Sequence, residues 1–118
     1  MRLGITARKF KLSEELRGHV EKETSRFEKY YDGIIDVDVV LGWEKNDRYA
    51  EMKVMVFNKT LTASENTEDM HKSITLVSDK IERQIIKYKE RLKKIDHDKV
   101  SLVSNEPGDD DEYFEEEG

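Results

Sequence analysis

Basic side chains recur at helical spacing between Asp79 and Lys94, where the sequence is DKIERQIIKYKERLKK. Seven of these sixteen residues are Lys or Arg, and three are acidic. Phosphate groups are the natural partners of such a row, because each contact releases condensed counterions from a nucleic acid. Five of the cations step by three or four positions and share one stripe of a helix: Lys80, Arg83, Lys87, Arg91 and Lys94.

A shorter row of cations occurs earlier in the chain, with Arg17 one turn before Lys22, Arg26 and Lys29. If the two helices lie side by side, both rows contribute to one exposed face. An explanation without a ligand stays open at this point. Lys and Arg are good helix formers on a solvated face, and they are favoured near the C-terminal end of a helix.

Residues that perform catalysis or bind metals show no comparable arrangement. His19, His71 and His97 are far apart in the sequence and form no HxxxH or HExxH motif. The six glycines form no phosphate-binding loop, and the chain has no cysteine. We therefore expect no enzymatic activity, no metal and no other cofactor.

Two further groups of polar and aromatic residues are interpreted as structural. Asp36 and Asp38 point to the same face of a predicted strand, where paired carboxylates are usually solvated. Trp43, Tyr49 and Phe57 would stack on bases if they shared the open face of a sheet. Packing at the edge of the sheet is the favoured explanation for all three.

Four short strands and two amphipathic helices are predicted to position these side chains. Alternating apolar residues indicate strands at 2–7, 35–41, 48–58 and 59–64. The first helix is predicted over 13–31, with Ser13 as its N-cap. The second helix is capped by Asn66 or Thr67, and its apolar stripe continues to Ile95. Turns are expected at Lys45-Asn46-Asp47 and Asn58-Lys59.

The order β-α-β-β-β-α predicts an α+β fold with an antiparallel meander. Two amphipathic helices need a shared apolar surface, which one face of a four-stranded sheet supplies. We therefore expect two parallel-lying helices on one face of the sheet and water on the other face.

Charge divides the chain into a body and a tail. The 118 residues carry a formal net charge of −6, with 41% charged and 36% hydrophobic residues. Eight acids and no base lie in 105–118, which leaves 19 acids against 21 bases in 1–104. We predict a folded domain at 1–95 and an acidic, disordered tail at 96–118. Neither a membrane span nor a secretory signal is expected, so the cytoplasm is the expected location.

Several separated motifs resemble the ribosome hibernation promoting factor family, which includes the ribosome-associated inhibitor protein Y. The second helix carries EDM at Glu68 followed by Ile74, then DKIERQI from Asp79 and KYK from Lys87. The N-terminal half agrees in a set of shorter matches: Ile5-Thr6, Leu16-Arg17, Val20 and Glu28-Lys29-Tyr30. The resemblance covers roughly residues 1–95.

This resemblance implies a fold similar to a double-stranded RNA-binding domain and a role in translation. The family binds the small (30S) ribosomal subunit in the channel for messenger and transfer RNA, and it inhibits translation under stress or in stationary phase. The implied partners are 16S rRNA and neighbouring ribosomal proteins, without a small-molecule substrate or membrane, and the protein is expected to be a monomer off the ribosome. The implied rRNA-binding residues are Arg17, Lys22, Arg26, Lys29, Lys80, Arg83, Lys87, Lys89, Arg91 and Lys94.

Alternatives to a short-form hibernation factor stay open from the sequence. The chain would also suit the N-terminal part of a long-form, ribosome-dimerising factor, cut within the linker that precedes its second domain. A general structured-RNA-binding module is a further alternative. A protein-interaction domain with a solvated basic helix is the third.

Overall fold

The computed structural model of the protein describes residues 1–97, with side chains described as far as Lys93. The chain divides into two compact units, Met1–Ile86 and Lys87–Gly118. The predicted boundary between 95 and 96 stays a prediction, and the predicted tail lies outside the described residues from 98 onward. The elements in chain order are β1 Arg2–Arg8, α1 Glu14–Ser25, α2 Phe27–Tyr30, β2 Ile34–Glu44, β3 Asp47–Val56, β4 Lys59–Thr67 and α3 Met70–His97.

The four strands form one sheet in the order β1-β2-β3-β4. β1 lies parallel to β2, with Arg2 opposite Asp36, because α1 and α2 return the chain to the start of the neighbouring strand. β2, β3 and β4 are antiparallel neighbours, which confirms the predicted meander. The predicted α+β class is confirmed as well.

One face of the sheet carries the apolar core of the first unit. Alternate strand residues such as Val37, Leu41 and Met52 are fully buried, whereas Asp38 and Glu51 on the other face are exposed. The apolar stripe of α3 is buried as predicted up to the end of this unit, at Met70, Ile74, Val77, Ile81 and Ile85. Burial of one helix stripe against one sheet face explains why both patterns were visible in the sequence.

The first helix is interrupted, in contrast to the continuous helix predicted over 13–31. Ser13 caps α1 as predicted, since its Oγ accepts a hydrogen bond from the Leu16 amide at 3.1 Å. α1 ends at Ser25, and α2 begins at Phe27. The hydroxyl of Thr24 donates to the carbonyl oxygen of Val20 at 2.9 Å, a bond that bends helices.

The start of α3 and one hairpin turn also differ from the sequence prediction. β4 continues to Thr67, and Asp69 replaces Asn66 or Thr67 as the cap, because its Oδ1 accepts from the His71 amide at 3.0 Å. The second turn consists of Phe57 and Asn58 rather than Asn58 and Lys59, which already belongs to β4. Asn58 adopts a φ of 67°, as expected for a turn asparagine.

Candidate nucleic-acid interface

α1 and α2 run parallel to the part of α3 that lies in the first unit. Successive residues of α1 and α2 contact successive residues of α3 in the same chain direction, which agrees with the predicted parallel, side-by-side helices. We call this row of polar contacts the helix seam. Its pairs, with the distance between the nearest polar atoms, are Glu15–His71 at 3.6 Å, His19–Thr75 at 3.2 Å, Glu23–Ser78 at 2.8 Å and Arg26–Glu82 at 2.6 Å.

Arg26, one of the predicted rRNA-binding residues, holds the C-terminal end of this seam. Its guanidinium donates to Glu23 Oε1 at 2.7 Å and to Glu82 Oε1 at 2.6 Å. Burial lowers the pKa of Arg26, but the charges of Glu23 and Glu82 outweigh burial and raise it overall. The Arg26 side chain is 36% exposed, and the Glu23 side chain is only 8% exposed. Arg26 therefore neutralises an almost buried carboxylate.

Tyr30 joins the same group of charges. A hydrogen bond from its hydroxyl to Glu82 raises the pKa of Tyr30, and burial and the charge of Glu82 act in the same direction. The nearby charge of Arg26 lowers that pKa by a smaller amount. The protonated phenol is therefore the form that the folded protein favours.

Lys80, the first residue of the predicted stripe on α3, also has partners within the protein. Its Nζ lies 2.8 Å from Glu65 Oε2 and donates to the carbonyl oxygen of Ser64 at 3.3 Å. Gln84, one turn later, donates to the carbonyl oxygen of Thr62 at 2.8 Å. Both acceptors belong to β4, an edge strand of the sheet. α3 therefore covers part of an edge that would otherwise be open to another strand.

The remaining predicted residues of the first unit are exposed. Arg17, Lys22 and Lys29 lie at the surface of α1 and α2 among the exposed acids Glu14, Glu21 and Glu28, so this surface has no excess of positive charge. Arg83 is exposed on α3. In the second unit Lys87 and Lys89 are exposed and Arg91 is half-buried, while the side chain of Lys94 is outside the described ones.

Two histidines that are separated in the sequence meet at the helix seam. The rings of His19 and His71 lie 4.9 Å apart, centroid to centroid, at a tilt of 43°. Spacing within one segment gave no signal for this pair, because 52 residues separate its members. Within residues 1–97, no group of three or more His, Cys, Asp or Glu side chains is arranged to hold a metal ion.

The three aromatic residues considered for base stacking do not share the open face of the sheet. Tyr49 lies on that face over Gly42, where an added Cβ would collide with the ring. Trp43 is one position away from Gly42 and points to the opposite face. Phe57 lies in the turn after β3 and is 70% exposed. A common stacking platform of these three residues is therefore excluded.

A four-stranded sheet with two parallel helical segments on one face and cations on the helices defines an α+β domain with the topology β-α-β-β-β-α. The chain belongs to the Sigma 54 modulation protein / S30EA ribosomal protein family, whose sequence model matches residues 3–93. The family suggested by the sequence motifs is thereby confirmed. The similarity to double-stranded RNA-binding domains stays a prediction.

Relatives and solved structures agree with this assignment. The chain is 34% identical to the ribosome hibernation promoting factor of Azotobacter vinelandii over 77% of its length and 85% of the relative. It is 34% identical to the factor of that name from Escherichia coli K12, over 79% and 98% of the two chains. A ribosomal subunit interface protein from Coxiella burnetii superposes with a TM-score of 0.72 at 27% identity, and the match covers 76% of this chain and 99% of that protein. The N-terminal domain of Thermus thermophilus protein Y superposes with a TM-score of 0.71 at 25% identity, and the match covers 75% of this chain and 99% of that domain.

The hydropathy of the described helices bears on membrane association. Among residues 1–97, no helix combines the length and the apolar composition that a bilayer crossing needs.

Proposed function

We propose that this protein is a ribosome hibernation factor that acts in the cytoplasm under stress or in stationary phase. It binds the small (30S) ribosomal subunit in the channel for messenger and transfer RNA and thereby inhibits translation. The observation that carries this proposal is the family match over residues 3–93, together with 34% identity to a hibernation promoting factor across 98% of that relative. The protein acts by occupying its site, and no catalytic step is proposed.

The proposed contacts to 16S rRNA come from the basic residues of the helices, and α3 supplies the larger share. From Lys80 to Lys93 the sequence holds six basic and two acidic residues, whereas the exposed cations of α1 and α2 alternate with glutamates. Arg26 and Lys80 already have carboxylate partners within the first unit, so they add less to phosphate binding than Arg83. Structured RNA is recognised largely through its shape and its phosphates, which suits such a surface.

Co-sedimentation with purified small and large ribosomal subunits tests this proposal across a series of salt concentrations. We expect pelleting with the small subunit that weakens steeply as salt increases. The double variant Arg83→Glu/Lys89→Glu removes two exposed cations from the proposed surface. Each lost phosphate contact is expected to reduce the salt slope by about one, and the reversal lowers the affinity roughly tenfold or more.

The matched control is Lys53→Glu/Lys59→Glu, which makes the same change in net charge at exposed residues of β3 and β4. Its affinity for the small subunit is expected to stay within about twofold of the unmodified protein, because both lysines lie on strands and not on the proposed helix surface. Equal losses in both double variants would refute the proposed surface. Absence of pelleting at low salt would refute ribosome binding itself, and equal affinity for unrelated structured RNA would favour a general RNA-binding module.

A further inference from the structure

A stacked group of side chains surrounds Trp43, the only tryptophan of the chain. The rings of Phe10 and Trp43 are parallel within 1°, and their centroids lie 5.2 Å apart. The guanidinium carbon of Arg48 lies 4.3 Å from the centre of the Trp43 ring. Trp43 nevertheless stays 43% exposed, so this stack reaches the protein surface.

The hairpin between β2 and β3 holds this stack in place. Arg48 pairs with Trp43 across the two strands, and its Nη1 donates to the carbonyl oxygens of Asp47 at 3.0 Å and of Lys45 at 3.4 Å. The carbonyl oxygen of Arg48 accepts from the hydroxyl of Ser73 in α3. The turn carbonyl oxygens therefore orient the Arg48 guanidinium, and the bond to Ser73 fixes the hairpin to α3. Both sets of contacts exist without a ligand.

Four cations near the stack form no ion pair within the described residues. Lys9 and Lys11 flank Phe10 after the end of β1, and Lys45 and Arg48 belong to the hairpin. In the part of the chain that the structure describes, none of these four takes part in an ion pair within 4.0 Å, in contrast to Arg26 and Lys80. The acids of the hairpin are Glu44 and Asp47, so the surface keeps an excess of positive charge.

Two of these lysines occupy strained backbone positions. Within residues 1–97, three non-glycine residues have a positive φ, and two of them are Lys9 at 69° and Lys45 at 58°. Lys45 is the first residue of a two-residue hairpin loop, a position at which a type II′ turn strongly favours glycine. A lysine there keeps a cation beside the stack at the expense of backbone strain.

We propose that this region, the Trp43 surface, binds unpaired RNA. The Trp43 surface consists of Phe10, Trp43 and Arg48 with the cations Lys9, Lys11 and Lys45. The cations bind phosphates, and an exposed base adds to the stack through its flat face. Planar aromatic and guanidinium groups are the surfaces on which unstacked bases bind, whereas the carboxylates of an acidic peptide would pair with the cations alone. None of these residues belongs to the helix surface proposed above, so this inference goes beyond the proposed function.

The intrinsic fluorescence of Trp43 reports directly on this surface, because no other tryptophan contributes. A short oligouridine is the probe, since it forms neither duplex nor stable stacks. We expect saturable quenching of the fluorescence that weakens with salt. With four cations engaged, the slope of log affinity against log salt reaches at most about −2.8, at about 0.7 per phosphate on a single strand.

The test variant is Lys9→Gly/Lys45→Gly, and the matched control is Lys53→Gln/Lys59→Gln, which loses the same charge elsewhere. We expect the test variant to bind oligouridine roughly tenfold more weakly, with a salt slope reduced by about 1.4. Its Tm should equal or exceed that of the unmodified protein, because glycine adopts positive φ without strain. A loss of affinity is then not attributable to unfolding.

Unquenched Trp43 fluorescence at low salt would overturn the proposal, and so would an equal loss of affinity in the control variant. Ribosome co-sedimentation separates this inference from the proposed function. If oligouridine quenches Trp43 but ribosomal subunits pellet without the protein, the Trp43 surface is supported and ribosome binding fails. If the subunits pellet with the protein while oligouridine leaves the fluorescence unchanged, only the Trp43 surface is refuted.

Discussion

Replacement of Arg26 by alanine is predicted to destabilise the protein more than it weakens RNA binding. Arg26 is the cation between Glu23 and Glu82. Without it, Glu23 keeps only the hydroxyl of Ser78 as a side-chain partner among the described residues. Removing one member of a fully buried ion pair costs about 3–5 kcal/mol. An exposed pair contributes only about 0.2–1 kcal/mol.

The geometry places this cluster between the two limits. Solvent reaches 36% of the Arg26 side chain but only 8% of Glu23. We therefore expect Arg26→Ala to lower the free energy of unfolding by about 1–2 kcal/mol. For a domain of this size that corresponds to a decrease in Tm of roughly 4–16 °C.

Urea unfolding followed by Trp43 fluorescence measures this change, with Glu23→Gln/Arg26→Ala as the matched variant. Glu23→Gln removes the almost buried charge that Arg26 neutralises. We therefore expect the double variant to regain about half or more of the stability that Arg26→Ala loses. A free energy of unfolding for Arg26→Ala within about 0.5 kcal/mol of the unmodified protein, the range of an ordinary surface substitution, would refute this structural role of Arg26. A loss of ribosome affinity as large as that of Arg83→Glu, measured on folded protein, would show that Arg26 contributes as much to RNA binding as Arg83.

Three further predictions concern the same unit. Tyr30→Phe should make stability less sensitive to alkaline pH. The raised pKa of Tyr30 contributes stability below about pH 10, and this contribution disappears as the pH rises through the folded-state pKa. Urea unfolding at increasing pH should therefore show a weaker alkaline decline in the variant. Ile81→Ala should cost about 2–5 kcal/mol in urea unfolding, because the side chain is fully buried. Ser13→Ala should cost about 1 kcal/mol in the same assay, because the Leu16 amide loses its cap.

The elements of the first unit were predictable from the sequence wherever one face of an element is buried against apolar neighbours. Val37, Val39 and Leu41 alternate in β2, and Ile74 and Ile81 belong to one stripe of α3. Both periods follow from local backbone geometry, so they are visible without knowledge of the rest of the chain. The element order and the face of the sheet that the helices cover followed from these patterns.

The helix seam was not predictable in the same way. Glu23 and Thr24 appear as a gap in the apolar stripe of the first helix, although both are buried. A carboxylate is buried only where partners neutralise and hydrogen-bond it, and the partner Ser78 lies 55 residues further along the chain. No periodicity within one segment contains that information. For the same reason, the spacing of Arg26 with its neighbours did not reveal its carboxylate partners, and its contact with rRNA stays a prediction.

The edge of the sheet explains where the basic row on α3 begins. The carbonyl oxygens of Thr62 and Ser64 point away from β3, and Gln84 and Lys80 cover them. An uncovered edge strand pairs readily with other chains, so a long polar side chain at residue 80 has a function in the fold without any RNA. Loss of ribosome affinity in a Lys80 variant would therefore not distinguish a lost phosphate contact from an opened edge. Arg83 is exposed and forms no ion pair within the described residues, so its substitution isolates the phosphate contact.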